Sequence, residues 1–272
     1  MGGRALLRFG ITTERKTTVE HERILSEVKP RIEKIFNSDV RIVKYYANKT
    51  THGDLDLLLK SSNGLIVPDE IRKEFGVDHI HTNKYIHSFA YDNYQVDIIV
   101  VDGEDWDSTY FYSYDPTGNL IGKLAKKFNL KYGFSGLVFP FRGNAGSLVR
   151  NIVISKDECK IHGFFGLNYK DYCNGFETKK EIFDYIISSK YFVKDNFIEE
   201  NLTSIDRKRN LKRETYKDFI DYVNTKEITN NYSFSKDKYI YLGLIYDFFP
   251  ESDLIKQIEI LRDIDDLDKH CK

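Results

Sequence analysis

The chain has 272 residues, 41% of them apolar, with 41 Lys and Arg against 42 Asp and Glu and a formal charge of −1. At roughly 150 residues per domain, that length holds one large or two modest domains whose cores need no disulfide or metal staple. The charge balance excludes a basic arm or an acidic tail as the dominant theme, but not nucleic acid as a partner, because patches rather than totals bind phosphate.

In chain order, Val19, Ile24, Leu25, Val28, Ile32, Ile35 and Phe36 recur at three- and four-residue steps and predict a helix over 14–36, kinked or split at Pro30. Val40 to Tyr46 is β-branched and aromatic and reads as a strand. A polar turn from Asn48 to Gly53 leads into a strand over Leu55 to Leu59, and Pro68 followed by acids opens a helix to Phe75. Tyr85–Tyr91 and Tyr94–Val101 form a hairpin about Asp92-Asn93. Helix and strand alternate here as in an α/β sheet domain.

After Asp102 the texture changes. Gly103 to Asn119 reads as loop, Leu120 to Phe128 as helix, and Leu130–Phe141 and Ser147–Ile154 as strands. Helical patterns follow at Phe183–Ile187, Phe219–Val223 and Leu254–Leu261, and Asp263–Asp268 reads as a frayed end. A boundary near 103–115 separates a sheet domain, 1–110, from a helical and mixed domain, 111–272.

No stretch approaches the ~18 apolar residues of a membrane helix. The start, Met1 to Gly10, is too short and too weakly apolar for a signal peptide. Cys159, Cys173 and Cys271 have neither disulfide nor zinc spacing. The expectation is a soluble, reduced, intracellular protein with no membrane partner. Its richness in Lys, Ile, Asn, Tyr and Phe suits an AT-rich genome, viral ones included.

Acids carry the chemistry. Asp54 and Asp56 are two apart, so on a strand both leave one face while Leu55 and Leu57 leave the other. Carboxylates held side by side repel unless a cation lies between them. Mg²⁺ fits, because it takes one or two carboxylates and keeps positions for water and phosphate oxygens. Asp97 is a lone acid in the apolar strand Gln95–Val101, which is costly unless it is paired or metal-bound. Neighbouring strands can unite all three, and three carboxylates suit two-metal phosphoryl transfer.

Other features stay open. The run Arg207-Lys208-Arg209-Asn210-Leu211-Lys212-Arg213 is either a grip on a nucleic-acid backbone or a solvated helix face. Aromatics serve as cores or as stacking platforms, with Tyr110, Phe111 and Tyr112 the candidates for stacking. His79 and His81 can share a strand face but lack a third ligand for zinc.

Lys49-Thr50-Thr51-His52-Gly53-Asp54-Leu55-Asp56-Leu57-Leu58-Leu59 resembles the G-D-x-D strand of the nucleotidyltransferase superfamily, in particular its DNA polymerase beta-like (family X) branch. Tyr94–Val100 resembles the strand of that family's third aspartate. Phe111–Phe134 resembles its entry from palm to thumb, and Ile161–Tyr169 its late aromatic turn. The resemblance covers about 35–175. It implies an α/β (α+β) fold: a palm sheet with flanking helices plus a smaller, mixed, thumb-like C-terminal lobe. It further implies two Mg²⁺ ions, with Mn²⁺ as a substitute, an NTP or dNTP donor, and a DNA or RNA 3′ end as acceptor. Asp54 and Asp56 would bind both ions and the triphosphate, and Asp97 would complete the ion that activates the hydroxyl. Thr117, Asn119, Lys123, Lys126 and Lys127 would lie along sugar, base or primer.

One departure is visible. Where the family carries Gly-Ser upstream of its first aspartate, this chain has Val43-Lys44-Tyr45-Tyr46. Lys49, Thr50, Thr51, His52 and Gly53 are then the candidate phosphate donors. Without such a substitute, the alternative is a catalytically silent nucleic-acid-binding module; a further alternative is an enzyme that nucleotidylates a tRNA or protein acceptor.

Overall fold

A computed structural model describes residues 3–61, 68–143, 146–210, 212–230 and 232–270. Lys16–Thr17 forms a short strand, β1, so the first helix, α1 (Thr18–Phe36), starts later than its apolar spacing predicts. Thr17 caps α1, accepting from the Glu20 amide while the Glu20 carboxylate accepts from the Thr17 amide. Pro30 does not split the helix. The buried stripe of Ile24, Leu25, Val28 and Ile32 continues across it, and tertiary packing of that stripe outweighs one lost amide donor.

Strand β2 (Val40–Ile42) is shorter than predicted. Beyond Val43 the backbone leaves the sheet for the C-terminal half: Lys44 O accepts from the Tyr114 amide, and the Ala47 and Asn48 amides donate to Phe176 O and Glu177 O. Then come β3 (Thr51–His52), paired with β1, and β4 (Asp54–Ser61). Next are α2 (Pro68–Phe75), β5 (His81–Asn83), β6 (Ile86–Tyr91) and β7 (Tyr94–Asp102). The five-stranded mixed sheet has the order β2-β4-β7-β6-β5, with β4 and β7 parallel. Asp92 and Asn93 turn the β6–β7 hairpin with φ of 52° and 55°, the left-handed pair that matches strand twist.

Side chains alternate as a sheet requires. Leu55, Leu57 and Leu59, with Val96, Ile98 and Val100, pack on α1. On the other face Leu58, Ile99 and Val101 meet Trp106. Trp106 belongs to a 3₁₀ helix, Gly103–Tyr112, where a loop was predicted.

The C-terminal half contains α3 (Thr117–Lys127) and an antiparallel sheet of β8 (Lys131–Gly133), β9 (Gly136–Arg142) and β10 (Leu148–Ser155). Helices α4 (Glu158–Phe164), α5 (Tyr169–Asn174), α6 (Lys179–Ile187) and α7 (Ser204–Asn210) follow. The chain closes with α8 (Glu214–Asn224), α9 (Tyr241–Phe248) and α10 (Leu254–His270). The backbone stays helical through His270 rather than fraying at Asp263. Nor is this half the smaller one. Its core is the larger of the two main apolar clusters, with Phe128, Phe164, Phe165, Phe192, Phe197, Phe219 and Phe249 fully buried. Most aromatics therefore serve packing. Among the described residues, no helix is long and apolar enough to cross a membrane.

Gly118 shows how tightly α3 meets the 3₁₀ helix. A Cβ there would stand 2.4 Å from Phe111 O and 2.8 Å from its ring. Gly118→Ala is therefore expected to cost about 1–3 kcal/mol by overpacking, read as a lower urea midpoint with an unchanged slope.

Candidate metal centre

Asp54 opens β4 and Asp56 follows on the same face, while Asp97 lies opposite Asp56 in the parallel β4–β7 register. One carboxylate oxygen from each acid lies within 4.8 Å of the others. The sheet itself fixes this geometry. Adjacent parallel strands hold paired residues about 4.7–4.9 Å apart across the ladder, and the two-residue period puts Asp54 beside them.

Positive charge around the cluster is only partial: Lys49 acts on Asp54 and Asp56, and Arg15 acts on Asp54. Among the described residues, none of the three acids forms an ion pair with Lys or Arg. Burial, then the charges of Asp54 and Asp97, pushes the Asp56 carboxyl well above the ordinary carboxylate range. Burial also raises Asp54, against the charge of Lys49 and a hydrogen bond from the Gly3 amide. Asp97 is pushed up to about 6, chiefly by burial, against hydrogen bonds from Ser88 and Gln95. Three hard oxygen donors on rigid strands, destabilised by their own proximity, fit a divalent cation such as Mg²⁺.

Support around Asp97 comes from residues the sequence pattern did not single out. Gln95 Nε2 donates to both Asp97 oxygens at 3.0 Å, and Gln95 Oε1 accepts from the Ala5 amide at 2.9 Å. Gln95 thus ties the N-terminal 3₁₀ turn, Ala5–Phe9, to the acids. Ser88 is the register partner of Asp97. Counting outward from Asp92-Asn93 would have found it, since hairpin pairs are fixed by the turn. Gln95→Leu is expected to weaken Mg²⁺ affinity by about 10–100-fold through loss of orientation. Calorimetric titration checks this, and binding equal to the parent would show that Asp97 needs no such support.

The predicted phosphate donors separate. Lys49 is half-buried, with its pKa lowered by burial and raised by the charges of Asp54, Asp115 and Asp56, so its ammonium belongs to this neighbourhood. Thr50 is exposed and its carbonyl accepts from the Thr18 amide, while Thr51 O and Oγ1 accept from Arg15 at 3.1 and 3.0 Å. The space above Gly53 O is taken by Gly3. His52 is a correction. It is 2% exposed, stacked on His21 at 4.0 Å, and burial lowers its pKa to about 3, so it carries no charge to offer phosphate. His21 in turn bonds Tyr94, whose hydroxyl donates to Asp54 O at 2.6 Å, so the pair braces the strand from behind.

The C-terminal candidates are mostly corrected as well. Thr117 is buried and donates to Tyr114 O at 2.6 Å, and Lys123 is 6% exposed and lies 3.4 Å from Asp206. Lys126 pairs with the same Asp206 at 2.5 Å. Lys127 is half-buried with its ammonium 6.0 Å above the Phe234 ring. An amphipathic helix facing a core turns part of a lysine run inward, and Asp206 compensates it. Asn119 is half-buried on α3; Arg207 and Lys208 are exposed, and the Arg209 side chain lies outside the described residues. Tyr112 is half-buried beside Tyr85 and feels the Asp56 charge, whereas Phe111 packs on Tyr132. His79 stacks on Phe9 and His81 meets Arg8, so the two do not act as a pair. Cys159 and Cys173 are free thiols, and Cys271 lies outside the described residues.

Comparison with protein-family models gives no match for this chain, and comparison with curated proteins gives none either.

Proposed function

We propose that the protein is a divalent-metal-dependent nucleotidyltransferase that moves a nucleoside monophosphate from an NTP or dNTP to the 3′-hydroxyl of a DNA or RNA end. The observation that carries this reading is the convergence of Asp54, Asp56 and Asp97, with oxygens within 4.8 Å, from two adjacent parallel strands. Two bound Mg²⁺ ions, or Mn²⁺ in their place, would supply charge neutralisation at the triphosphate and lower the pKa of the attacking hydroxyl.

The chain's own contribution is positional and electrostatic. Asp54 and Asp56 present their oxygens from one rigid strand. Asp97, oriented by Gln95 and Ser88, takes the hydroxyl proton on a carboxylate oxygen. The new O–P bond forms at the α-phosphorus as the bond to pyrophosphate breaks. Lys49, beside Asp54, offers its ammonium to the departing pyrophosphate.

The test is a panel of labelled NTPs and dNTPs with Mg²⁺ or Mn²⁺ against DNA, RNA, tRNA and protein acceptors. Label in a nucleic-acid 3′ end with release of pyrophosphate supports the reading. Label in no acceptor sinks it, and label in protein alone moves the acceptor class.

One observation favours a second reading, a metal-binding module without catalysis. In the segment that stands where the resemblance calls for Gly-Ser, and just after it, the Lys44, Ala47 and Asn48 amides are already bonded to Ser113, Phe176 and Glu177. They are not free to cradle phosphate. Mg²⁺ binding without transfer would select this reading.

A further inference from the structure

The open edge of the five-stranded sheet carries a second surface, apart from the acids. Strand β2 is that edge, and it pairs with β4 alone. Asp39 O accepts from the Lys60 amide at 3.0 Å and the Val43 amide donates to Asp56 O at 3.4 Å, so both bond inward. Alternation along an antiparallel ladder then turns the N–H and C=O groups of Val40 and Ile42 outward, away from β4. Among the described residues, no partner meets them. The chain itself takes the next outward position. Lys44 O accepts from the Tyr114 amide at 2.7 Å, and the Lys44 amide donates to Ser113 Oγ at 3.2 Å. The edge is thus paired at one end and open beyond it.

A groove of about 350 Å³ lies over the open part. Leu25 and Lys29 of α1 line one wall, and Thr109, Tyr110 and Ser113 line the other, with β2 between them. Because α1 and the 3₁₀ helix cover opposite faces of the sheet, a space that both line must lie at its edge. Apolar surface comes from Leu25 and from Ile42, which is 40% exposed. The charge is of one sign: Lys29, Arg41 and Lys44 line the groove, and among the described residues no Asp or Glu does. The Arg41 and Lys44 cations stand 5.9 and 6.0 Å from the Tyr110 ring centre, at the wall of the 3₁₀ helix. Lys29 is offset by Glu33, but Arg41 reaches only Asp107, 4.0 Å away and 90% exposed. Lys44 forms no ion pair among the described residues.

We infer that this edge docks an acidic, extended segment of a partner protein, which adds to β2 as a further strand. The outward groups of Val40 and Ile42 call for a backbone that donates and accepts in alternation, which a peptide has and a phosphodiester strand lacks. Side chains of an added strand point alternately to the two walls. Acidic residues then face Arg41 and Lys44, and apolar ones face Leu25 and Ile42. A second copy of this chain fits worse. Pairing two β2 edges would bring Lys29, Arg41 and Lys44 of both copies together, and edge cations act against such self-pairing. The inference does not rest on the transfer reading, since docking needs no metal and no reaction.

The test is fluorescence anisotropy of a labelled acetyl-Glu-Val-Glu-Val-Glu-Val-Glu-amide with the full chain, in chelator. Saturable binding is expected, weakened by salt. Of the two forms N-methylated at alternate residues, the one blocked on the side facing β2 is expected to bind at least about tenfold more weakly, and the other to keep its affinity. The peptide with Lys for every Glu is expected to lose at least as much. Ile42→Pro removes an outward N–H and no ladder bond, and Lys44→Glu reverses a charge; each is expected to cost at least about tenfold. Lys44→Glu decides alone if Ile42→Pro does not melt cooperatively. Asp54→Asn is expected to bind as the parent does, which separates this edge from the metal centre. Absence of saturation, equal binding of the Lys peptide or of both methylated forms, or parent-like binding by either folded variant would overturn the inference. So would loss of binding in Asp54→Asn, a labelled oligo-dT bound more tightly than the peptide, or a dimer of the chain that excludes the peptide.

Discussion

Replacing Asp56 with Asn is expected to stabilise the metal-free protein and to abolish both divalent-cation binding and transfer. Asp56 is the most heavily perturbed of the three acids, raised by burial and then by the charges of Asp54 and Asp97. Asn keeps the shape and removes the charge, so without metal the fold should gain about 1–3 kcal/mol near neutral pH. Transfer should fall at least about a thousandfold, because several kcal/mol of charge stabilisation at the phosphoryl group go with the ligand. Urea melts of parent and variant in chelator read the first effect. Melts with Mg²⁺ and the labelled-nucleotide assay read the second. A variant that is less stable in chelator and still shifted by Mg²⁺ would mark these acids as ordinary structural carboxylates. The opposite signs of the two effects are the informative part: a site that costs stability when empty is one arranged for an occupant.

The second large effect is the pH dependence of the Mg²⁺-induced rise in melting temperature, which should be small near pH 5 and large near pH 8. Asp97 titrates at about 6 in the fold against an ordinary value of 3.8. Between those values the folded state holds more protons than the unfolded chain, so metal-free stability falls as pH rises, on the order of 3 kcal/mol for this group. Asp54 and Asp56, also raised, act in the same direction. His21 and His52 oppose them. Burial lowers these to about 4 and about 3 from 6.5, so the unfolded chain holds the extra protons and stability rises with pH up to about 6.5. The metal-free profile is therefore a partial cancellation. The difference between profiles with and without Mg²⁺ removes the histidines and leaves the acids, which must be ionised to bind a cation. Thermal melts in paired buffers across that range give the difference directly. A Mg²⁺ shift that is flat or falls with pH would remove these carboxylates as the ligands.

The charge balance of the whole chain takes a different meaning from the folded positions. Three acids that count as surface charge in the total are held together in one partly buried cluster. Lys123 and Lys126, which look like a basic grip in sequence, share the single carboxylate of Asp206, which offsets one of the two charges. Of the second basic run, Arg207 and Lys208 remain exposed. A net charge of −1 thus conceals a cluster of three acids that Lys49 offsets only in part.

What could be read from order alone was whatever depends on near neighbours. The stripe from Ile24 to Ile32, the bounds of Pro68–Phe75, the left-handed turn at Asp92-Asn93 and the shared face of Asp54 and Asp56 all follow from helix period, strand period or turn chemistry. Asp97 was legible for a related reason: a carboxylate in an apolar strand announces its own cost. The remaining features depend on partners far away along the chain. Whether Val43 to Tyr46 continues a strand depends on Tyr114 and Phe176, and whether Lys123 is a grip or a buried charge depends on Asp206. The burial of His52 depends on His21, and the orientation of Asp97 is fixed by Gln95, itself held through Ala5. Desolvation is the common physical reason. A side chain's charge state and availability are set by what excludes water from it, and that is a property of the packed chain rather than of any local run of residues.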